Sequence, residues 1–161
     1  ANNNDIESVK EYLKSLVDRD NEVCGEVRHC DNLTINTVLT VYERRARESG
    51  ISVKISAKAS RDLEVSPQDL VIVIANLFEN AIHATQKYKG QKKLIDIMIK
   101  SNAQRLLIKV ENPCKNNLTF DETLYGVGIH SVIATTNKYE GMYDFIAEDG
   151  IFSAKISLNL K

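Results

Sequence analysis

The segment from Ser66 to residue 87 constrains the fold more than any other part of the chain. Ser66 is a favourable N-cap and Pro67 is favoured in the first helical turn, so a helix is predicted to begin here. Apolar residues then recur every three or four positions, which is the period of an amphipathic helix. They are Leu70, Ile74, Leu77, Ala81 and Ala84. A helix this apolar must bury one face, and we expect that face to pack on a sheet.

Polar side chains interrupt this helix on one side. Asn76, Asn80 and His83 are spaced by four and three residues, which places them within about 60° of one another on the helix. Glu79 flanks them. A carboxamide that is buried without a partner costs free energy, so this polar stripe is expected to meet a partner. The helix pattern leaves open whether that partner is a neighbouring loop or a polar ligand.

A glycine pair precedes the next predicted helix, which covers residues 126–139. Gly126 and Gly128 lie at its start. Glycine lets a backbone come close to phosphate oxygens, and a helix N-terminus offers amide groups that have no partner within the helix. The pair therefore indicates either a phosphate contact or simply a flexible turn before a helix.

A polar side chain follows the predicted strand 105–110. Glu111, Asn112 and Pro113 end this strand. A polar residue at a strand end, followed by proline, is well placed at the mouth of a pocket. Ordinary termination of the strand explains the same residues without any ligand.

The other predicted elements alternate between helices and strands. Helices are predicted over 5–17 and 32–49, a linker over 18–31, and strands over 51–57, 94–100, 142–147 and 151–160. The last two strands form a hairpin across Asp149 and Gly150, a favoured turn pair. Helices combined with antiparallel strands predict the α/β class, as a two-layer α/β sandwich with a mixed sheet, preceded by one amphipathic helix. The helix over 5–17 is typical of a coiled or bundled helix pair, or of a surface helix packed on its own domain.

Composition excludes several classes of function. Hydrophobic residues make up 43% and charged residues 27% of the 161, so the chain can bury a core. Its net charge of −1 gives no excess of cations to coat nucleic acid, and no nucleic-acid partner is expected. The 3 cysteines have no metal-type spacing and favour a reducing compartment. No apolar run approaches the roughly 20 residues of a membrane span.

Several segments together resemble the ATP-binding domain of the GHKL superfamily, which includes sensor histidine kinases, type II topoisomerases and a class of heat-shock chaperones. NLFENAIHA resembles the N-box of the sensor kinases, in their quorum-sensing-type branch from Gram-positive bacteria. NTVLTVYERRARESGISVKI resembles the lead-in helix and first strand, and YGVGIHSVIATTNKYEGMYDF the second glycine box and final strands. The resemblance covers residues 30–160 and implies a Bergerat-type fold with ATP and Mg²⁺ as ligands.

The resemblance also implies a role for each residue of the site. Asn80 would coordinate a Mg²⁺ that bridges the ATP phosphates, and Asn76 would contact phosphate or metal-bound water. His83 stands where many kinases place a basic residue near the phosphates, although it could equally be a neutral surface histidine. Gly126 and Gly128 would border the lid over the nucleotide.

The adenine end of the site departs from the general pattern of the superfamily. Asn112 stands where the superfamily has an aspartate that accepts a hydrogen bond from the adenine amino group. An amide oxygen can accept that bond without the assistance of a charge. No glycines follow in PCKNN, and the lid is expected over 114–125 with Lys115 as its one basic residue.

These features imply phosphoryl transfer to a protein acceptor. Asn76 is an amide where the topoisomerases and chaperones have a carboxylate that activates water, so hydrolysis is disfavoured. None of His29, His83 and His130 fits the acceptor, which is therefore expected outside this chain. The predicted protein is a catalytic domain of a two-component histidine kinase. A nucleotide-binding regulatory module without transfer activity is the alternative.

The resemblance further predicts how the chain is organised and where it works. Residues 1–30 would be the second helix of a dimerisation hairpin plus a linker, and residues 31–161 the ATP-binding domain. Expected partners are the acceptor helix of the same or a partner subunit, a response regulator and a second copy in a homodimer. The first residue is not Met, which predicts a piece of a longer protein. The resemblance implies that this parent protein is anchored in the membrane upstream, with this domain on its cytoplasmic side.

Overall fold

The computed structural model describes residues 6–11, 28–115 and 126–161. Within these ranges the helices are α1 (Leu33–Glu48), α2 (Pro67–Lys87) and α3 (Val127–Lys138), and residues 6–11 are also helical. The strands are β1 (Ser52–Lys58), β2 (Leu94–Ser101), β3 (Arg105–Pro113), β4 (Met142–Glu148) and β5 (Ile151–Asn159). Every predicted element that falls in the described ranges is present, with ends shifted by a few residues. Residues 12–17 of the first predicted helix, and 18–27 of the linker, lie outside those ranges.

The five strands form one mixed sheet in the order β1-β2-β3-β5-β4. β1 and β2 are parallel because α2 connects them as a crossover, and all other neighbours are antiparallel. The hairpin between β4 and β5 turns at Asp149 and Gly150, whose φ angles of 53° and 78° are both positive. The predicted hairpin and the predicted mixed sheet are therefore confirmed.

The three helices cover one face of the sheet. α1 packs on β1, α2 on β2 and β3, and α3 on β4 and β5. Alternate residues of the three inner strands point into this layer and are buried, namely Ile95, Ile97, Ile99, Leu106, Ile108, Val110, Ala154, Ile156 and Leu158. This arrangement is the predicted two-layer α/β sandwich. Among the described helices, none is long and apolar enough to cross a membrane.

The apolar sides of α1 and α2 form much of the core. Ile35, Leu39, Tyr42 and Ala46 of α1 are all buried, as are Leu70, Ile74, Leu77 and Ala81 of α2. Ala84, the last residue of the apolar repeat, is exposed. On the helical wheel Ala84 lies within about 20° of the buried Leu77, so its place in the last turn of α2, and not its side of the helix, distinguishes it.

Asn32 fixes the start of α1. Its Oδ1 accepts a hydrogen bond from the backbone amide of Ile35 at 3.1 Å, which is N-cap geometry. Its Nδ2 donates to the carbonyl oxygens of Ser60 and Arg61 at 3.3 and 3.2 Å. One side chain therefore joins the beginning of α1 to the loop that follows β1.

The segment before α1 is held by further contacts. The backbone amide of His29 donates to Asn36 Oδ1 at 2.7 Å, and His29 Nε2 lies 2.6 Å from Glu43 Oε2. Earlier in the chain, Val9 is 1% exposed and belongs to the same core cluster as the helices of the domain. This burial favours the interpretation of residues 6–11 as a surface helix packed on its own domain.

A polar cluster joins the beginning of α2 to the end of α3. Asp69 Oδ2 accepts hydrogen bonds from Lys138 Nζ at 2.8 Å and from the Tyr139 hydroxyl at 2.5 Å. The same hydroxyl accepts a hydrogen bond from the Ser66 amide at 3.1 Å. Since the two helices also pack against each other, a contact between opposite ends means that they run in opposite directions.

This cluster should make stability depend on pH. Burial alone would raise the pKa of Asp69, but the hydrogen bonds from Lys138, Tyr139 and Ser66 outweigh burial and lower that pKa. A carboxyl whose pKa is lower in the folded state stabilises the fold fully above its unfolded pKa of about 4. That stabilisation is lost as the pH falls through the folded pKa.

We therefore expect Asp69→Asn to reduce the free energy of unfolding most at neutral pH, and the difference from the wild type to shrink below about pH 4. Urea denaturation followed by circular dichroism over a range of pH values measures this difference. Asp144→Asn is the control, because Asp144 is exposed and forms no ion pair among the described residues. A loss in Asp69→Asn that is the same at every pH would contradict the assignment.

Candidate functional site

The polar stripe of α2 lies on a different side of the helix from Leu70, Ile74 and Leu77, as its spacing predicts. Asn76 is 5% exposed, whereas Asn80 and His83 are exposed. Asn76 Nδ2 donates to the Ile72 carbonyl oxygen at 2.7 Å, one turn earlier in the helix. Because this bond uses the amide nitrogen, the side-chain oxygen of Asn76 stays available as an acceptor for a group outside the helix. Among the contacts of the described residues, the side-chain oxygens of Asn76 and Asn80 accept no hydrogen bond.

Glu79 lies beside this stripe and is held by two basic side chains. Arg45 of α1 contacts it through two nitrogens, at 2.7 Å from Oε2 and 3.3 Å from Oε1. His83 Nε2 lies 3.0 Å from Glu79 Oε1. Only 9% of the Glu79 side chain is exposed, so its charge is neutralised where it is largely removed from water. The carboxylate next to Asn80 is therefore engaged within the protein.

Sequence reasoning does not find Arg45. Its only signal is its place among basic residues in the last turns of α1, where any of them would suit the helix dipole. Arg45 and Glu79 are 34 residues apart, and no periodicity links two different helices. The stacking of Tyr42 on Phe78, with ring centroids 5.6 Å apart, brings these two helices together. Arg45 also lies over the Tyr42 ring at 5.0 Å.

Asn112 lies near the end of β3 and is 3% exposed. The strand does not stop before Glu111, as the sequence predicts, but continues to Pro113, which pairs with Ile151. A proline is tolerated there because the pairing with β2 ends at Glu111, so Pro113 has a neighbouring strand on one side only, as in an edge strand. Asn112 Nδ2 donates to the Pro113 carbonyl oxygen at 3.0 Å, which leaves the amide oxygen as an acceptor.

A cleft of about 690 Å³ opens at this end of the sheet. Asn112, Lys115 and the turn residues Asp149 and Gly150 line it, together with Tyr88, which directly follows α2. Because Tyr88 and Asn112 border one cleft, the end of α2 and the end of β3 lie at the same end of the domain. Neither Asn76 nor Asn80 lines this cleft.

The start of α3 lies near the same region. α2 and α3 run in opposite directions from the contact between Asp69 and Lys138. Val127 and Asn80 are both eleven residues from that contact, about 16 Å along the two helices at 1.5 Å per residue. Helix geometry therefore places the N-terminus of α3 near the level of Asn80.

The two glycines at this N-terminus have different surroundings. Gly126 is the N-cap of α3 with φ −70° and ψ 172°, a conformation open to any residue. A Cβ atom added there would meet no other atom within 4 Å. Gly128 is buried in the first turn. The amides of Val127 and Gly128 have no acceptor among the described residues, so the helix start presents two donors beside an open space.

The predicted site residues thus fall into groups. Asn76, Asn80 and His83 lie on one side of α2, and helix geometry brings Gly126 and Gly128 near them. Asn112 lies at the same end of the sheet but borders the separate cleft. Of the predicted lid, only Cys114 and Lys115 are described, and both line that cleft. Residues 116–125 lie outside the described ranges.

Comparison with known proteins decides the family. The family model of the GHKL domain matches residues 65–159, which is more than half of the chain. The chain belongs to the GHKL domain family. The matched region of this GHKL domain contains α2, the sheet from β2 onwards and α3, and so includes every residue of the predicted site.

One curated relative is a probable C4-dicarboxylate sensor kinase of Bacillus subtilis (strain 168). It is 34% identical over 102 residues, which are 61% of this chain and 18% of the relative. The GHKL domain therefore spans less than a fifth of the length of that relative. This relative and the family model support a similarity to histidine kinases in general. That the chain belongs to their quorum-sensing-type branch stays a prediction.

Solved structures share the fold. The catalytic domain of histidine kinase ThkA superposes with a TM-score of 0.60 at 19% identity, covering 78% of this chain and 89% of that domain. Histidine kinase AdeS of Acinetobacter baumannii gives a TM-score of 0.58 at 15% identity, covering 80% of this chain and 64% of that protein. At these identities the similarity establishes the α/β fold of kinase catalytic domains.

Proposed function

We propose that this GHKL domain is the catalytic ATP-binding domain of a two-component sensor histidine kinase. In this proposal the γ-phosphoryl group leaves the bridging oxygen of ATP and forms a bond to an imidazole nitrogen on a helix outside this chain, and ADP is released. The observation that carries the proposal is the pair of side-chain oxygens of Asn76 and Asn80, which accept no hydrogen bond from the described residues and lie near the glycine-bordered N-terminus of α3. The curated sensor-kinase relative supports the same conclusion.

The chemistry of the donors fits Mg²⁺. An amide oxygen is a hard ligand, and Mg²⁺ usually takes one or two protein ligands and completes its shell with waters and phosphate oxygens. Among the described residues there is no group of three or more His, Cys, Asp or Glu side chains that could hold a metal. Asn80, which is exposed, would hold the cation, and Asn76 would bind phosphate or metal-bound water. When bound, the cation neutralises charge on the phosphates.

The other predicted residues would bind and orient the rest of the nucleotide. The amides of Val127 and Gly128 have no acceptor within the described part of the chain and suit phosphate oxygens, and the absence of a side chain at Gly126 leaves room for those oxygens. The Asn112 amide oxygen would accept a hydrogen bond from the adenine amino group. His83 would contact a phosphate only by leaving Glu79, since its Nε2 already lies 3.0 Å from that carboxylate.

The ion pairs of Glu79, the carboxylate nearest the site, favour phosphoryl transfer over hydrolysis. A hydrolase needs a base to activate water, and the amide of Asn76 cannot act as one. Glu79 is the neighbouring carboxylate, but Arg45 and His83 already bind it. This arrangement supports a domain that orients ATP for an external acceptor.

The wider assignments belong to the same proposal. The acceptor histidine would lie on an earlier helix of a dimerisation hairpin, of which residues 1–30 would be the second helix plus a linker. The phosphoryl group would pass on to an aspartate of a response regulator. The parent protein would be a homodimer anchored in the membrane upstream, with this domain in the cytoplasm. Support comes from the curated relative, which is a sensor kinase by name.

Replacing the proposed metal ligand tests the site. We expect Asn80→Ala to abolish measurable Mg²⁺-dependent ATP binding in isothermal titration calorimetry while leaving the thermal unfolding midpoint near that of the wild type, because Asn80 is exposed. Asn137→Ala is the matched control, since Asn137 is another exposed asparagine on a helix. Unchanged Mg·ATP affinity in Asn80→Ala would show that the site lies elsewhere.

A methyl group at the glycine pair tests the phosphate contact. Gly126 has an ordinary φ angle and an open surrounding, so Gly126→Ala should fold as stably as the wild type. If the phosphates occupy that space, the methyl group should weaken ATP binding about tenfold, or about 1.4 kcal/mol. Titration calorimetry and urea denaturation measure the two quantities separately. Wild-type ATP affinity in this variant would remove Gly126 from the phosphate site.

The transfer step separates the two candidate functions. The altered adenine region motivates the alternative, a nucleotide-binding module without transfer activity. We expect incubation of the chain with γ-labelled ATP, Mg²⁺ and a separate acceptor-helix fragment to label that fragment on histidine, and Asn80→Ala to prevent it. A fragment whose acceptor histidine is replaced by Gln is the control. ATP binding without any label on the fragment would favour the regulatory module.

A further inference from the structure

The two edges of the sheet are built differently. β1 forms one edge and carries Lys54 and Lys58 among its exposed residues, and lysines on an edge discourage pairing with another chain. β4 forms the other edge and contains neither lysine nor proline. Its residues Met142, Tyr143 and Ile146 are large, apolar and exposed, by 67%, 37% and 39%. Among the described strands, β4 has no partner on its outer side.

The exposed apolar residues continue onto the sheet face that the described helices do not cover. Met142 and Ile146 point to this face, since they pair with Ser157 and Ser153 of β5. Ile151 and Leu107 lie on the same face and are 42% and 40% exposed. These four residues are called the outer apolar patch below.

A buried hydroxyl lies within the outer apolar patch. Ser153 pairs with Ile146 on one side and with Glu111 on the other. Ser153 Oγ is the one buried side-chain oxygen or nitrogen of the described residues that has no hydrogen-bond partner. Such groups are uncommon, because burying a hydroxyl without a partner costs free energy. The patch therefore combines exposed apolar area with an unsatisfied polar atom.

Residues 140–150 carry charge of one sign, although Lys155 of β5 lies opposite Asp144 in the sheet. Residues 140–150 contain four carboxylates, those of Glu140, Asp144, Glu148 and Asp149, and no Lys, Arg or His. None of the four forms an ion pair within the described part of the chain. On the uncovered face of β4 the order is therefore apolar, acidic, apolar, acidic, at Met142, Asp144, Ile146 and Glu148.

We propose that the edge of β4 binds an extended segment of a partner protein in which apolar and basic residues alternate on one face. The segment would add to the sheet as an antiparallel strand, and main-chain hydrogen bonds would supply affinity. Its apolar residues would lie opposite Met142 and Ile146, and its Lys or Arg residues opposite Asp144 and Glu148. Cross-strand pairs of these kinds stabilise a sheet.

Charge argues against a second copy of the chain as the occupant. If β4 paired with β4 of another copy, the carboxylates of both copies would line one seam without any cation of either β4 between them. Like charges along such a seam are destabilising. The proposal does not depend on nucleotide binding, because no residue of the outer apolar patch is among the proposed nucleotide ligands.

A designed peptide tests the proposal. The probe is fluorescein-labelled Lys-Thr-Val-Thr-Lys-Thr-Val, which in antiparallel register places lysine opposite Glu148 and Asp144 and valine opposite Ile146 and Met142. We expect fluorescence anisotropy to detect binding to the full chain, weakened by added salt. Hydrogen exchange followed by mass spectrometry should slow over 142–148 on binding and not over 52–58.

Substitutions on the two edges provide matched controls. Ile146→Lys removes an apolar residue from the acidic edge and should weaken the probe at least about tenfold. Ser56→Lys makes a comparable change on the β1 edge and should leave the affinity unchanged. The probe with glutamate in place of lysine should bind at least about tenfold more weakly. Thermal unfolding confirms that each variant is folded.

Three outcomes would overturn the proposal. The first is equal binding of the lysine and glutamate probes, and the second is no binding of the lysine probe to the wild type. The third is dimerisation of the wild type in analytical ultracentrifugation that Ile146→Lys abolishes, because β4 would then pair with a second copy.

Discussion

The structure depends on the burial of α2. This helix packs on α1, on α3 and on the two strands β2 and β3, so its removal would leave the other elements without a common neighbour. Its buried positions include Leu70, Ile74, Leu77 and Phe78, each of which is at most 2% exposed. Burial on this scale contributes about 1.5–3 kcal/mol for each large side chain. The free energy gained by burying the apolar side allows the helix to carry polar residues on its other side.

The same constraint explains why the site lies where it does. A helix that is fixed along one face holds the residues of its other face in a constant direction. Asn76 and Asn80 are therefore positioned by contacts that they do not make themselves. The helix is joined to its neighbours by charge at two places, through Asp69 in its first turn to α3 and through Glu79 beyond its middle to α1. These buried carboxylates fix how the helices meet, whereas the apolar contacts supply most of the free energy.

Most of the fold could be predicted because local signals agree with one another. Ser66, Pro67 and the apolar period define α2, and the pair Asp149 and Gly150 defines the last hairpin. The errors concern the ends of elements. Asn112 was expected beyond its strand but lies within it, because a terminal proline permits pairing that a central one would prevent. Ala84 continues the apolar repeat but is exposed, because a repeat read at fixed spacing does not show where along the helix packing ends.

The candidate site was predictable only in part. Its residues on α2 follow from helical spacing, since a period of 3.6 residues determines which side chains share a side. The partner of Glu79 does not follow, because the position of Arg45 relative to α2 depends on how two helices cross. The cleft beside Asn112 is likewise formed by residues from three separate parts of the chain, and no local pattern predicts that they meet.

The anchoring of Asn32 and His29 has a mechanical consequence. The His29 amide and side chain attach the segment before α1 to Asn36 and Glu43 of α1, and Asn32 attaches it to the loop after β1. The segment therefore cannot rotate freely relative to the domain. A force applied to that segment is therefore transmitted to α1. Arg45 of α1 in turn forms an ion pair with Glu79, the residue next to Asn80. To turn independently of the domain, the segment would first have to break these bonds.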